Sequence, residues 1–210
     1  MCGLAGIWKY GGAPRDALRG VAGAMAARLR HRGPDDEGCW IDEQQGIAFG
    51  FRRLAILDLT SAGAQPMHSA SGRYVIVFNG EIYNHIRLRE ELARENAVSE
   101  FRGHCDVETV LAAIEAWGLE GALRRFIGMF AFALWDRKEH ALSLVRDRAG
   151  VKPLYYAATP AGVLFASEPK AFLADPDFNP RLSRDAVALY ARLDYVPAPY
   201  AIFEDVRKLP

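Results

Sequence analysis

Apolar residues along this chain fall into short runs and helical faces, separated by polar breaks that carry Gly or Pro. Leu4-Ala5-Gly6-Ile7-Trp8 reads as a first strand, and Gly11-Gly12-Ala13-Pro14 as the turn that ends it. Over 15–29, Leu18, Val21, Ala22, Met25 and Leu29 recur at helical spacing, so one face of that helix is buried. The polar stretch 30–38 contains Gly33, Pro34 and Gly38 and is expected as an ordered, salt-bridged loop. Cys39-Trp40-Ile41 and Ile47-Ala48-Phe49-Gly50-Phe51 flank a polar turn and predict a hairpin. Arg52-Arg53 then abuts Leu54-Ala55-Ile56-Leu57, ahead of a loop at Gly63-Ala64-Gln65-Pro66-Met67.

Tyr74-Val75-Ile76-Val77-Phe78 is a buried strand by its β-branched and aromatic content, and it runs straight into Asn79-Gly80. Asn-Gly is a tight-turn pair, yet no returning strand follows; Leu88 and Leu92 instead begin an amphipathic helix reaching about Asn96. Asp106 is expected as the N-cap of a helix with Val107, Val110, Leu111, Ile114 and Trp117 on one face. The almost wholly apolar stretch 126–135 predicts a strand buried on both faces, with 141–145 as its hairpin partner. A charged loop over 146–153 leads to strands at 154–156 and 163–166 and a short helix near 168–173. After the cap Ser183 comes a last helix over 184–193.

Strands that come mostly as hairpins, with helices between them, predict an α+β fold of stacked antiparallel sheets and outer helices. Residues 1–180 are expected as one domain and 181–210 as a terminal helix and linker. Val196-Pro197-Ala198-Pro199 reads as extended, and Lys208-Leu209-Pro210 stops with no closing element, as in a truncated chain or a natural fragment.

Composition narrows the classes. At 210 residues, half of them apolar and a quarter charged, the chain can bury one large core. Its 26 Lys and Arg balance 26 Asp and Glu, so no net field favours nucleic acid or a membrane surface. The N-terminal apolar run is too short for a signal-peptide core and no later run approaches a membrane span, so a cytoplasmic protein is expected. Cys2, Cys39 and Cys105 are an odd count at irregular spacing, which argues against both a disulfide framework and a zinc site.

Candidate chemistry starts at the amino terminus. If Met1 is removed, Cys2 carries both a thiol and a free α-amine, of reference pKa about 8.5 and 7.7–8.0, and the amine can relay the thiol's proton. The Asn79 amide and the Gly80 N–H at a strand end are two donors suited to an oxyanion. Arg53 at a strand mouth suits a carboxylate, and Asp106 suits a cap or a substrate ammonium. His104 and Cys105 are neighbours in sequence, a poor arrangement for a papain-like dyad, whose members come from distant segments.

Met1-Cys2-Gly3, Arg32-Gly33-Pro34-Asp35, Arg53-Leu54-Ala55-Ile56-Leu57-Asp58, Asn79-Gly80-Glu81-Ile82-Tyr83-Asn84-His85, Gly128-Met129-Phe130-Ala131-Phe132 and Lys152-Pro153-Leu154-Tyr155-Tyr156 together closely resemble the glutaminase domain of glutamine-hydrolysing asparagine synthetases. These are class II glutamine amidotransferases of the N-terminal-nucleophile hydrolase fold. The resemblance implies a four-layer αββα sandwich and L-glutamine as substrate. It implies Cys2 as nucleophile, Asn79 and Gly80 as oxyanion hole, and Arg53 on the substrate α-carboxylate. Glu81 and Asp106 would hold its α-ammonium, with main-chain contacts from Arg53, Leu54, Ala55, Ile56 and Leu57.

No cofactor or metal is implied for this domain. ATP and magnesium are expected only for a C-terminal synthetase domain, the partner in the full-length family, whose Ser-Gly-Gly-x-Asp-Ser loop has no counterpart here. The chain departs from the family where His104-Cys105 precede Asp106 and at Ala149, where a larger apolar residue is usual. Two other readings are the same domain serving a sugar- or peptide-amidating enzyme, and a non-catalytic interaction module on the same fold.

Overall fold

The structure is a computed structural model in which the described residues are 1–55, 60–98 and 100–210, without the side chain of Ser61. Strands β1 (Gly3–Lys9), β2 (Asp36–Asp42), β3 (Ile47–Arg53), β8 (Tyr155–Thr159), β9 (Gly162–Ala166) and β10 (Arg207–Lys208) form one antiparallel sheet, ordered β10-β8-β9-β1-β3-β2. Strands β4 (Met67–His68), β5 (Tyr74–Ile82), β6 (Gly128–Asp136) and β7 (Ala141–Arg146) form a second, ordered β4-β5-β6-β7. Helix α1 (Arg15–Ala27) and a 3-10 helix at Pro169–Ala174 cover the outer face of the first sheet. Helices α2 (His85–Arg94) and α3 (Asp106–Arg125) cover the outer face of the second, and α4 (Arg184–Leu193) follows with Ser183 accepting a bond from the Ala186 N–H. This is the expected αββα sandwich.

Period-two alternation along the strands builds its three apolar layers. Ala5 and Ile7 of β1 face α1, whereas Leu4 and Trp8 face the other sheet. On β5, Ile76 and Phe78 pack under the helices while Val75 and Val77 meet Leu4, Phe49 and Phe51 in the middle layer. Central β6 is buried on both faces, with Phe130, Phe132 and Leu134 on one side and Ala131, Ala133 and Trp135 on the other.

Four local expectations are revised. Asp36, Glu37 and Gly38 are strand, because β2 stays in register with β3 as far as Asp36 opposite Arg53, and Arg52 and Glu37 pair at 2.6 Å. Asn79 and Gly80, expected at the end of a strand, lie inside β5, which runs on to Ile82 and sets them opposite Ala131 and Phe130. The helix after Asp106 breaks at Gly118, whose φ of 70° is left-handed backbone that favours glycine. At the other end of the chain, Arg207 and Lys208 close the first sheet as an edge strand against Tyr156 and Tyr155, and the Leu209 N–H donates to the Leu154 carbonyl.

Candidate active site

The middle-layer rows run apolar through most of their length and turn polar at one end of the sandwich. Carried two residues back, the β1 row of Leu4 reaches Cys2. Carried on, the β3 row of Ile47, Phe49 and Phe51 reaches Arg53, and the β5 row of Val75 and Val77 reaches Asn79 and Glu81. Alternation therefore delivers a thiol, a guanidinium, an amide and a carboxylate to one edge of the core. All four line a single cavity of about 140 Å³, together with Leu54, Ala55, Gly80 and Asp106. Ile56 and Leu57 lie outside the described residues. A larger cavity of about 400 Å³, bounded in part by Trp8, Ala157 and Phe178, shares no residue with this one, and none of Cys2, Cys39 and Cys105 lines it.

Cys2 Sγ sits against the Leu54 backbone, 3.4 Å from the nitrogen that donates to it and 3.7 Å from the carbonyl oxygen. Burial pushes the thiol pKa up, and the Leu54 N–H, the amino terminus and Arg53 only partly offset it. A thiol held protonated in this way needs a base at hand before it can attack.

Backbone alternation on β5 decides what Gly80 can do. Tyr74, Phe78 and Ile82 turn their hydrogen-bonding groups toward the β4 edge. The Tyr74 carbonyl accepts from the Ser69 N–H, Phe78 is bridged by the Gln65 side-chain amide, and the Ile82 N–H donates to Asp106 Oδ2 at 2.8 Å. Gly80 lies between the last two on the same edge, past the end of β4, so its N–H projects from an open sheet edge beside the cavity. Glycine is required there, since a Cβ would lie 2.3 Å from the Met129 carbonyl oxygen. Next to it, Asn79 is 1% exposed and its Nδ2 has no hydrogen-bond partner among the described residues. An unpartnered buried donor costs about 1–3 kcal/mol, so its retention beside a cavity marks it for a ligand.

Arg53 is buried, donates from Nη1 to the Thr60 carbonyl at 3.0 Å and stands 4.0 Å from Asp36. Asp106 is also buried, but it is not the N-cap: Cys105 holds that position with extended backbone, and Asp106 is the first helical residue. Its carboxylate ties α3 to β5 through the Ile82 N–H instead. Burial raises its pKa; the Ile82 bond and His85 pull the other way, and neighbouring Glu81 adds to the rise. A buried carboxyl that is costly to charge gains most from an incoming cation.

Three contributors escaped the sequence reading. Gln65 replaces a missing strand by bonding both the N–H and the carbonyl of Phe78. Lys152 is buried and lines the cavity, its backbone N–H held by Asp147, which also accepts from the N–H groups of Phe130, Ala149 and Val151. Arg32 donates from Nε to the Cys2 carbonyl at 3.0 Å. The Arg32-Gly33-Pro34-Asp35 block was a signal for the last of these, but not for its target.

Among the described residues no cluster of three or more His, Cys, Asp or Glu is arranged to hold a metal ion, and no helix is long and apolar enough to cross a membrane. The sequence model of the glutamine amidotransferase domain family matches residues 1–210. A putative glutamine-hydrolysing asparagine synthetase of Mycobacterium bovis is 41% identical over 223 residues, covering 100% of this chain and 34% of the relative. Glutamine-hydrolysing asparagine synthetase 1 of Bacillus subtilis is 38% identical over 211 residues, covering 100% of this chain and 32% of its own length. The chain thus spans about a third of the length of these curated relatives. The solved glutamine phosphoribosylpyrophosphate amidotransferase of B. subtilis shares the fold, with a TM-score of 0.64 at 20% identity over 83% of this chain and 43% of that one. A family match from end to end, on a sandwich whose middle layer opens at Cys2, makes this chain a member of the glutamine amidotransferase domain family.

Proposed function

We propose that this domain hydrolyses L-glutamine to glutamate and ammonia through a thioester on Cys2. With Met1 removed, the Cys2 α-amine takes the thiol proton as the sulfur attacks the side-chain amide carbon of glutamine. Asn79 Nδ2 and the Gly80 N–H hold the oxyanion of the adduct. The C–N bond breaks, the amine's proton goes to the leaving nitrogen, and ammonia departs to leave a γ-glutamyl thioester. Water then adds to the thioester carbon and gives its proton to the amine. Collapse releases glutamate, and the thiolate regains its proton.

Arg53 takes the substrate α-carboxylate, Glu81 and Asp106 take its α-ammonium, and the main chain from Arg53 to Leu57, through Leu54, Ala55 and Ile56, supplies backbone contacts. One cation and two anions complement the zwitterionic end of glutamine, while neutral donors face the developing charge. In the cytoplasm the ammonia would pass to a synthetase domain like that of the longer relatives, which ATP and magnesium would serve; glutamine hydrolysis itself draws on protein groups and water.

The observation that carries this reading is the meeting of Cys2, Arg53, the orphaned Asn79 amide and Asp106 around one cavity. Intact mass and a glutamate-release assay test it. Removal of Met1 and a fall of about a thousandfold or more in Cys2→Ala are expected, whereas retained Met1 in an active protein or equal rates in Cys2→Ala would overturn it.

A further inference from the structure

Residue 2 is held by an arrangement that the chemistry above leaves unused. On β1 the even-numbered residues turn their backbone groups toward β9: the Tyr10 N–H donates to the Ala161 carbonyl, the Leu4 carbonyl accepts from the Ser167 N–H, and the Leu4 N–H donates to Ser167 Oγ. Cys2 is next in that series, but β9 has ended and the chain has turned away into the 3-10 helix. The Arg32 side chain fills the missing rung. Its Nε donates to the Cys2 carbonyl at 3.0 Å and its Nη1 to Glu168 Oε1 at 2.8 Å, so the guanidinium spans the gap between β1 and the residue that follows Ser167. The Arg32 side chain is only 8% exposed.

Resting on the Cys2 reading above, we infer that Glu168 is a positioning residue for the nucleophile: through Arg32 it fixes the Cys2 carbonyl, and with it the amine and sulfur borne on the same Cα. Once Met1 leaves, no covalent bond restrains Cys2 from its amino side. Its placement then rests on the Gly3 peptide, on Leu54 against the sulfur and on the Arg32 bond to its carbonyl. A guanidinium fork is suited to such a bridge, because its donors are rigidly coplanar and one can be spent on each side of the gap.

Glu168 is itself held from two further directions, by His31 at 2.9 Å and Lys170 at 3.2 Å. Partial burial raises its pKa, but the bonds from Arg32, His31 and Lys170 outweigh that and hold it at about 2. The carboxylate therefore stays charged, and the bridge intact, across the pH range in which a thiol and an amine trade a proton.

The test measures kcat and KM for glutamine hydrolysis in Glu168→Ala, Glu168→Gln, Arg32→Lys and His31→Ala, each confirmed by intact mass to have lost Met1. Displacing reacting groups by about 1 Å costs about a hundredfold, so Glu168→Ala and Arg32→Lys are expected to lose about tenfold or more in kcat with KM within about twofold of the parent. Glu168→Gln, which keeps an oxygen for Arg32, is expected within about threefold of the parent, and His31→Ala, which touches Glu168 but not Arg32, within about twofold.

Iodoacetamide needs no oriented sulfur, so mapped alkylation of Cys2 in Glu168→Ala should match the parent if the variant is folded. Parent-like kcat in either Glu168→Ala or Arg32→Lys would overturn the inference. So would equal losses in Glu168→Ala and His31→Ala, which would make Glu168 part of a surface ion cluster only. If Glu168→Ala does not fold, Arg32→Lys and Glu168→Gln decide alone. Failure of the underlying reading shows separately, as activity that survives Cys2→Ala.

Discussion

The two ends of the middle layer use the same strands in the same register and differ by about one residue per row. At the closed end Phe49 packs its ring 5.5 Å from both Trp40 and Phe165, and Trp8 meets Trp135 at 5.3 Å. At the open end the β1, β3 and β5 rows end in Cys2, Arg53 and Asn79, around a cavity instead of a ring. The difference teaches that the candidate catalytic groups extend the core and do not stand on loops, so they inherit the placement of close-packed strands. Only the remaining wall, with Leu54, Gly63, Gln65, Cys105 and Lys152, comes from connecting segments.

That contrast is broken most severely from the closed end. Phe49 is fully buried in the layer shared by both sheets, and Phe49→Ala is expected to cost about 3–5 kcal/mol of stability, read by denaturant unfolding. Activity should disappear with the fold, with no separate change in KM below the transition. At the open end the balance reverses. Asn79→Leu removes a donor that has no partner among the described residues, so unfolding should be unchanged or slightly harder, while kcat should fall by about a hundredfold to a thousandfold. A variant as unstable as Phe49→Ala, or as active as the parent, would show that Asn79 is a core residue and not a ligand donor.

Asp106→Asn tests the same contrast more gently. The amide oxygen can still accept from the Ile82 N–H, so the tie between β5 and α3 survives, but the negative charge for a substrate ammonium is gone. Losing the charge from a desolvated pair costs roughly 2–4 kcal/mol, so KM for glutamine should rise roughly a hundredfold with kcat less affected. An unchanged KM would leave the ammonium to Glu81.

What the sequence makes legible follows from the same geometry. Hydrophobic alternation predicts the strands and the sandwich because burial on a pleated surface repeats every two residues. It could also have placed the site: Arg53 is two residues past Phe51, and Asn79 two past Val77, on rows that are apolar up to those points. Cys2 stands two residues before Leu4 in the same way. Where the reading fails, the cause is a contact between segments distant in the chain.

Asp106 has the composition of a cap, but the Ile82 N–H, 24 residues away, claims its carboxylate and leaves Cys105 at the helix end. Asn79-Gly80 has turn chemistry, yet β6 supplies a partner strand and holds it extended. Arg207 and Lys208 show no strand pattern in so short a run; the exposed β8 edge makes them one. The bridge from Glu168 to Arg32 crosses 136 residues, and its second half runs 30 residues from Arg32 to Cys2, so it has no local signature at all.

The smallest effect is the one that separates two acids near the same nucleophile by the sign of their linkage to folding. Burial raises the Asp106 pKa in the folded protein, so the native state binds that proton more tightly than the unfolded chain does. This group costs no stability below its pKa in the unfolded chain; the cost grows as pH rises from there and is complete above its folded pKa. Glu168 is the reverse: held at about 2 against an ordinary 4.5, it contributes stability above the upper value and loses it as pH falls toward the lower one. Thermal melts of Asp106→Asn and Glu168→Gln against the parent read both. At neutral pH Asp106→Asn should melt higher and Glu168→Gln lower, each by about 2–4 °C per kcal/mol in a chain of this size. On acidification the first difference should fade once Asp106 is protonated in the folded parent, and the second should shrink between pH 4.5 and about 2. Differences of the same sign, or differences that ignore pH, would mean that neither carboxyl is tuned by the surroundings described for it.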